Sequence, residues 1–321
     1  MPTSRSSKPR VVITMGDPSG IGPEVTLKAL ASPGIRGFAD FIVIGDAFVM
    51  EKAARRLKSK LEGSLIDLGN VRKASFAYGR SRPDFGRASM EYIDKAVGLI
   101  GAGGADSLVT APINKASIIS AGFKAFEGHT EYLAGKTRTG RFAMMFVGKR
   151  MKITLVTRHI ALKDVPKKLS EAKIISAIEL TGVYLRRYFG ISRPRIGVAG
   201  LNPHAGENGA FGNEERLIIS PAVEAARVHI KGVFGPVSPD VIFNAAVDGR
   251  FDAVISMYHD QALIPFKLLY FDTGVNLTLG LPFARTSPDH GTAFDISGKG
   301  IADPSSMIEA IKLACRLSVK A

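Results

Sequence analysis

The chain has 321 residues, 45% of them hydrophobic and 22% charged, with 43 basic against 29 acidic residues and a formal charge of +14. That length exceeds one ordinary core and points to two domains or one large α/β unit. No apolar run approaches the roughly 20 residues that cross a bilayer, and Met1–Arg10 lacks the apolar stretch of a secretory signal and reads as a frayed tail. The single cysteine, Cys315, excludes an intrachain disulfide framework and fits a reducing cytoplasm. The positive charge favours anionic ligands. Nucleic-acid binding needs a basic face with a reading element, and the densest cluster, Arg55–Lys60, has no interleaved aromatics, so neither nucleic acid nor membrane is an expected partner.

In chain order, β-branched runs predict strands at Val11–Thr14, Phe41–Ile44, Ser107–Thr110, Ala143–Val147, Lys152–Thr157, Arg195–Ala199, Ala253–Met257 and Val275–Leu279. Amphipathic stretches predict helices near 22–31, 46–60, 88–101, 170–189, 214–229, 238–248 and 304–319. This alternation predicts an α/β protein with a largely parallel sheet. Ser170 caps the 170–189 helix, with Glu171 in its first turn and Gly190 as its stop. No linker or internal repeat is visible.

Val11–Glu24 reads as a strand, a tight glycine loop and a helix start. Pro23 suits the first helical position and Glu24 suits the dipole, yet Glu24 would repel a pyrophosphate. The loop does not match G-x-G-x-x-G, so a structural turn and a ligand loop both stay open.

His159, His204 and His259 each follow an apolar run, in Ile153–His159, Leu201-Asn-Pro-His-Ala-Gly-Glu207 and Met257-Tyr-His-Asp-Gln261. Half of the six histidines therefore stand at the C-terminal mouth of a predicted strand, the edge where ligands bind in open α/β sheets. Three imidazoles there would hold a divalent metal and leave positions open for water or substrate.

Together with Gly16-Asp-Pro-Ser-Gly-Ile-Gly-Pro-Glu24, Gly128-His-Thr-Glu131 and Gly274–Ala293, these motifs resemble the 4-hydroxythreonine-4-phosphate dehydrogenase family from about residue 10 to 316. The two ends are also similar to isocitrate and isopropylmalate dehydrogenases. The resemblance implies a two-domain fold of that type, with mostly parallel sheets flanked by helices and an interdomain cleft. Residues 1–125 and 275–321 would form the cofactor-side domain, and 126–274 the central metal, substrate and dimerisation domain. It further implies a homodimer with its active site at the subunit interface.

Carried over by position, the resemblance makes His159, His204 and His259 the metal ligands and so the catalytic centre. His129, Thr130, Lys267, Asn276 and Arg285 become substrate contacts, and His290, Gly291, Thr292, Ala293, Asp295 and Ile296 cofactor contacts. Lys267 and Arg285 suit phosphate or carboxylate through charge-assisted bonds. An all-histidine set suits zinc, cobalt or nickel better than magnesium, which substrate carboxylate and phosphate oxygens would still tolerate. The Asp295 carboxylate can accept from a ribose hydroxyl and repels a 2′-phosphate, which favours NAD over NADP.

The implied reaction is oxidation of 4-phosphohydroxy-L-threonine to a 3-keto acid that decarboxylates to 3-amino-2-oxopropyl phosphate, within pyridoxal 5′-phosphate (vitamin B6) biosynthesis. Lys115, Asp260 and a metal-bound water are candidates for taking the hydroxyl proton. Rival readings are a sister dehydrogenase for D-erythronate or D-threonate 4-phosphate or a cyclic dihydrodiol carboxylate, and a three-histidine zinc hydrolase. The hydrolase leaves the 290–303 segment unexplained.

Overall fold

The computed structural model describes residues 8–318. Its strands are β1 (Arg10–Thr14), β2 (Asp40–Gly45), β3 (Ser64–Asp67), β4 (Ser107–Thr110), β5 (Ala143–Val147), β6 (Lys152–Leu155), β7 (Ile196–Ala199), β8 (Val233–Val237), β9 (Ala253–Ser256), β10 (Val275–Leu279) and β11 (Ala284–Pro288). The chain divides into two compact units, the first running to Arg138 and resuming at Pro282, the second spanning Thr139–Leu281. Both are α/β, and most strand pairs are parallel.

In the first unit the strand order is β3-β2-β1-β4-β11, parallel throughout. Central β1 is buried from Val11 to Thr14, which is why it reads as an unbroken apolar run rather than an alternation. Helix Ser305–Ser318 lays Met307, Ala310, Ile311, Ala314 and Leu317 against the sheet.

In the second unit the order is β10-β5-β6-β9-β7-β8. Strands β5 and β6 pair antiparallel, as do β10 and β5, while β6, β9, β7 and β8 are parallel. Each face carries its own core. Ala253 and Ile255 of β9 pack with Ile174, Ile178 and Val223 on one side, and Val254 between them packs with Phe146, Ile242 and Phe266 on the other. Period-two side chains of a sheet sandwiched by helices produce that division. Three strands escaped the sequence pattern. Strand β8 contains Gly235 and Pro236, β11 is mostly polar, and β3 holds only two apolar residues.

Candidate active site

Strands β6, β9 and β7 are neighbours and parallel, so the segments leaving them emerge at one edge of the second unit. Those segments carry His159, His259 and His204. One hydrogen-bond chain ties them together. Thr157 Oγ1 donates to the Met257 carbonyl at 2.6 Å, Met257 N–H donates to Gln261 Oε1 at 2.7 Å, and Gln261 Nε2 donates to the Gly200 carbonyl at 2.7 Å.

The His159 and His259 rings lie 5.6 Å apart between centroids. His259, in the first turn of helix His259–Tyr270, places Nδ1 2.7 Å from Asp260 Oδ1. A proton on Nδ1 given to that carboxylate leaves Nε2 with a free lone pair, the arrangement metal-ligating histidines share. His204 stacks near Phe211, 6.2 Å between ring centroids, and bears on Asp240, whose carboxyl is held below its ordinary value first by the Ser238 hydroxyl. The His159 and His259 rings thus meet, and among the described residues no three His, Cys, Asp or Glu side chains form a group able to hold a metal ion. His159 and His204 are exposed and His259 is half-buried. The imidazole donors and the Asp260 partner fit a divalent cation in chemistry.

His204 sits in an unusual turn. His204, Ala205, Glu207 and Asn208 all have positive φ, between 39° and 56°, around Gly206 at 82°. Left-handed backbone costs a non-glycine residue about 1–2 kcal/mol, so something must hold the turn in place. The buried Glu215 does so: Oε1 accepts from Leu201 N–H and Asn202 N–H, each at 2.7 Å, and Oε2 accepts from Asn202 Nδ2 at 2.9 Å. A Cβ on Gly206 would stand 2.7 Å from Glu215 Oε2.

The first unit holds a buried cation, Arg285, and His129, both expected substrate contacts. Arg285 on β11 is 2% exposed and donates from Nε and Nη2 to Thr110 Oγ1 on β4. Burial pushes its guanidinium below the ordinary value, with Glu131 opposing, and it stays charged at neutral pH. His129 lies close enough to feel it. Burial, then the Arg285 charge, pushes the imidazole well below its usual range, so the ring is neutral. Among the described residues its Nε2 is sealed from solvent without a hydrogen-bond partner, which leaves it able to bond a ligand. Thr130 is buried one residue on, at the start of helix His129–Lys136. Lys115 is exposed at the first position of a helix capped by Asn114.

The remaining substrate candidates belong to the second unit. Asn276 on β10 has Oδ1 buried without a hydrogen-bond partner among the described residues. Lys267 is half-buried, its Nζ 5.4 Å from the centre of the Phe271 ring.

In the 290–303 segment, His290 places Nδ1 3.1 Å from the Gly291 carbonyl oxygen, Ala293 turns at φ 40°, and Asp295 is exposed. Space is open around Gly291. The first glycine loop is a structural turn supporting this segment. Ile21 N–H donates to the Thr292 carbonyl at 3.0 Å and the Ser297 hydroxyl to the Ser19 carbonyl at 2.5 Å. Gly16, at φ 77°, has its Cβ position 2.3 Å from the Pro112 oxygen, so no other residue fits. Asp17 accepts from Ser19 N–H at 2.9 Å, and burial raises its carboxyl to about 6.

Sequence reasoning assigned Thr110 and Glu215 no role, and Gln261 only a place at the end of the Met257–Gln261 motif. Each acts through a contact with another segment of the chain.

The family described as pyridoxal phosphate biosynthetic protein PdxA matches residues 37–314. The 4-hydroxythreonine-4-phosphate dehydrogenase of Desulforapulum autotrophicum is 45% identical, with 96% of this chain and 95% of that one aligned. The D-threonate 4-phosphate dehydrogenase of Cupriavidus necator is 43% identical over 97% and 98%. Among solved structures, a putative 4-hydroxythreonine-4-phosphate dehydrogenase from Salmonella typhimurium superposes with a TM-score of 0.86 at 39% identity, covering 97% of this chain and all of that one.

Proposed function

The chain belongs to the PdxA family of pyridoxal phosphate biosynthetic proteins and is an oxidoreductase, and from that membership we propose the NAD-dependent, divalent-metal-dependent oxidation of 4-phosphohydroxy-L-threonine. The resulting 3-keto acid loses carbon dioxide to give 3-amino-2-oxopropyl phosphate. The observation that carries the substrate reading is Arg285, a fully buried cation beside a neutral imidazole whose Nε2 lacks a partner. A buried, pre-oriented guanidinium next to an unsatisfied polar atom is built for an anionic ligand.

His159, His204 and His259 are the proposed cation ligands, with zinc or cobalt favoured over magnesium by the nitrogen donors. Lewis acidity toward the substrate oxygens is the chemistry the cation supplies when bound. Asp260 orients His259 through Nδ1. Arg285 binds the substrate anion, His129 meets it as a neutral group, and Thr130, Lys267 and Asn276 complete the proposed contacts. Lys115 and Asp260 are the proposed proton carriers. His290–Ala293, Asp295 and Ile296 are the proposed dinucleotide contacts, and the exposed Asp295 carboxylate supports NAD over NADP.

A homodimer with the active site at the subunit interface is proposed as well. Helix His259–Tyr270 begins at a proposed ligand and exposes Ile264 at 70% and Leu268 at 85%, with Phe271 at 71% just beyond. A second copy would cover such an apolar face.

One alternative has a specific observation behind it: the D-threonate 4-phosphate enzyme of Cupriavidus necator is nearly as similar as the hydroxythreonine enzymes. Nothing in that kinship favours the three-histidine hydrolase. Initial rates with 4-phosphohydroxy-L-threonine, D-threonate 4-phosphate and D-erythronate 4-phosphate, each with NAD and with NADP, decide the matter. The highest kcat/KM is expected for the first with NAD, and a clear preference for either sugar acid would replace the proposal.

A further inference from the structure

We propose that Glu24 and Lys28 are positioning residues for the dinucleotide, acting through the backbone of the 290–303 segment without touching the cofactor. The inference rests on the reading of that segment as the cofactor loop.

Glu24 is 5% exposed at the start of helix Gly22–Ala31, and Lys28 lies one turn later. Glu24 Oε1 accepts from Lys28 Nζ at 2.8 Å and from Ala302 N–H at 2.8 Å, while Oε2 accepts from Gly300 N–H at 3.1 Å. Lys28 Nζ also donates to the Gly300 carbonyl at 3.0 Å and the Ala302 carbonyl at 2.7 Å. One ion pair therefore holds both polar backbone groups of two residues, the carboxylate taking the N–H groups and the ammonium the carbonyls.

A helix-start carboxylate of no use to a phosphate gains a purpose from this geometry. Glu24 holds the far end of the segment as Ile21 and Ser19 hold its middle, through Thr292 and Ser297. Between those ties stands Asp295, exposed, and before them Gly291, with open space around it. Both are proposed cofactor contacts. A loop ordered before binding spares the ligand the entropic cost of ordering it, so the ion pair should set dinucleotide affinity more than substrate affinity.

The test uses the full chain with Lys28→Met, which keeps the aliphatic stem, Lys28→Arg, which keeps the charge, and Glu24→Gln. Two readouts are independent of turnover: hydrogen exchange across 290–303 with and without NAD, and NADH affinity by fluorescence titration. KM for the phosphorylated substrate is measured beside them. In the unaltered protein, NAD should slow exchange in 290–303. Lys28→Met should speed exchange at Gly300 and Ala302 and weaken NADH binding about fivefold or more, as loss of bonds to a charged group implies, with substrate KM unchanged. Lys28→Arg should recover most of that affinity.

Faster exchange with unchanged NADH affinity would make the pair a structural staple and overturn the proposal, leaving the cofactor reading intact. No protection of 290–303 by NAD in the unaltered protein would overturn both. Should Glu24→Gln fail to fold, the comparison of the two Lys28 variants still decides, since that side chain is 24% exposed.

Discussion

The Arg285 guanidinium gives two hydrogen bonds to one acceptor, the Thr110 hydroxyl oxygen, 3.1 Å from Nε and 2.6 Å from Nη2. Arg285 sits opposite Leu108 in the parallel pairing of β11 with β4, so Thr110, two residues on, shares the Arg285 face. The hydroxyl oxygen fixes the orientation of a buried guanidinium that is the proposed anion-binding group. Thr110→Val keeps the shape and removes the acceptor. Hydrogen bonds to charged groups contribute about 1.5–3 kcal/mol, so substrate KM should rise about tenfold or more, with kcat less affected. Thr110→Ser should restore it. Initial-rate kinetics on the three proteins checks this, and an unchanged KM in Thr110→Val would remove Thr110 from the site.

Asp17 makes stability depend on pH. Its carboxyl titrates at about 6 when folded, against 3.8 ordinarily, so the folded state holds the proton more tightly than the unfolded chain. The contribution is full below about pH 4 and is lost as pH rises through 6, after which the buried carboxylate costs up to about 3 kcal/mol. Asp17→Asn keeps an oxygen for the Ser19 N–H. It should match the unaltered protein near pH 4 and exceed its Tm at pH 8. A Tm difference that is the same at both values would contradict this assignment.

The left-handed turn around His204 depends on Gly206. Its φ of 82° and the 2.7 Å between its Cβ position and Glu215 Oε2 leave alanine strained on both counts. Gly206→Ala is expected to lower stability by about 1–3 kcal/mol and to weaken zinc or cobalt binding by displacing His204. Thermal melts and metal titration of the purified variant report the two effects separately.

Asp260 acts on the proposed cation through His259. Asp260→Asn should weaken metal affinity about 10- to 100-fold, the usual consequence of losing an outer carboxylate partner. Isothermal titration with zinc measures it directly, and wild-type affinity in this variant would mean that His259 is oriented by something else.

Much of the fold was legible because its strongest signals are local. Buried parallel strands such as β1 and β9 appear as β-branched runs, and Ser170 does accept from Lys173 N–H at the predicted helix start. Helix His259–Tyr270 was hidden by Pro265 in its interior, and β8 and β11 by their glycine, proline and polar content. The strand mouths of His159, His204 and His259 were readable, since β6, β7 and β9 were predicted and adjacency follows from parallel pairing. The arrangement of His204 was not, because a run of left-handed residues held by Glu215 follows from a contact between separate segments. The Glu24 carboxylate was misleading for a similar reason: its partners, Lys28 apart, are backbone groups nearly 280 residues away.

The most direct test is absorbance at 340 nm after 4-phosphohydroxy-L-threonine and NAD are mixed with the enzyme, before and after stripping by a chelator and again on adding back zinc or cobalt. A rise that vanishes on stripping, returns with the metal and is abolished by His204→Ala is the predicted result. Undiminished NADH formation by the stripped enzyme, or no NADH formation with metal restored, would contradict it.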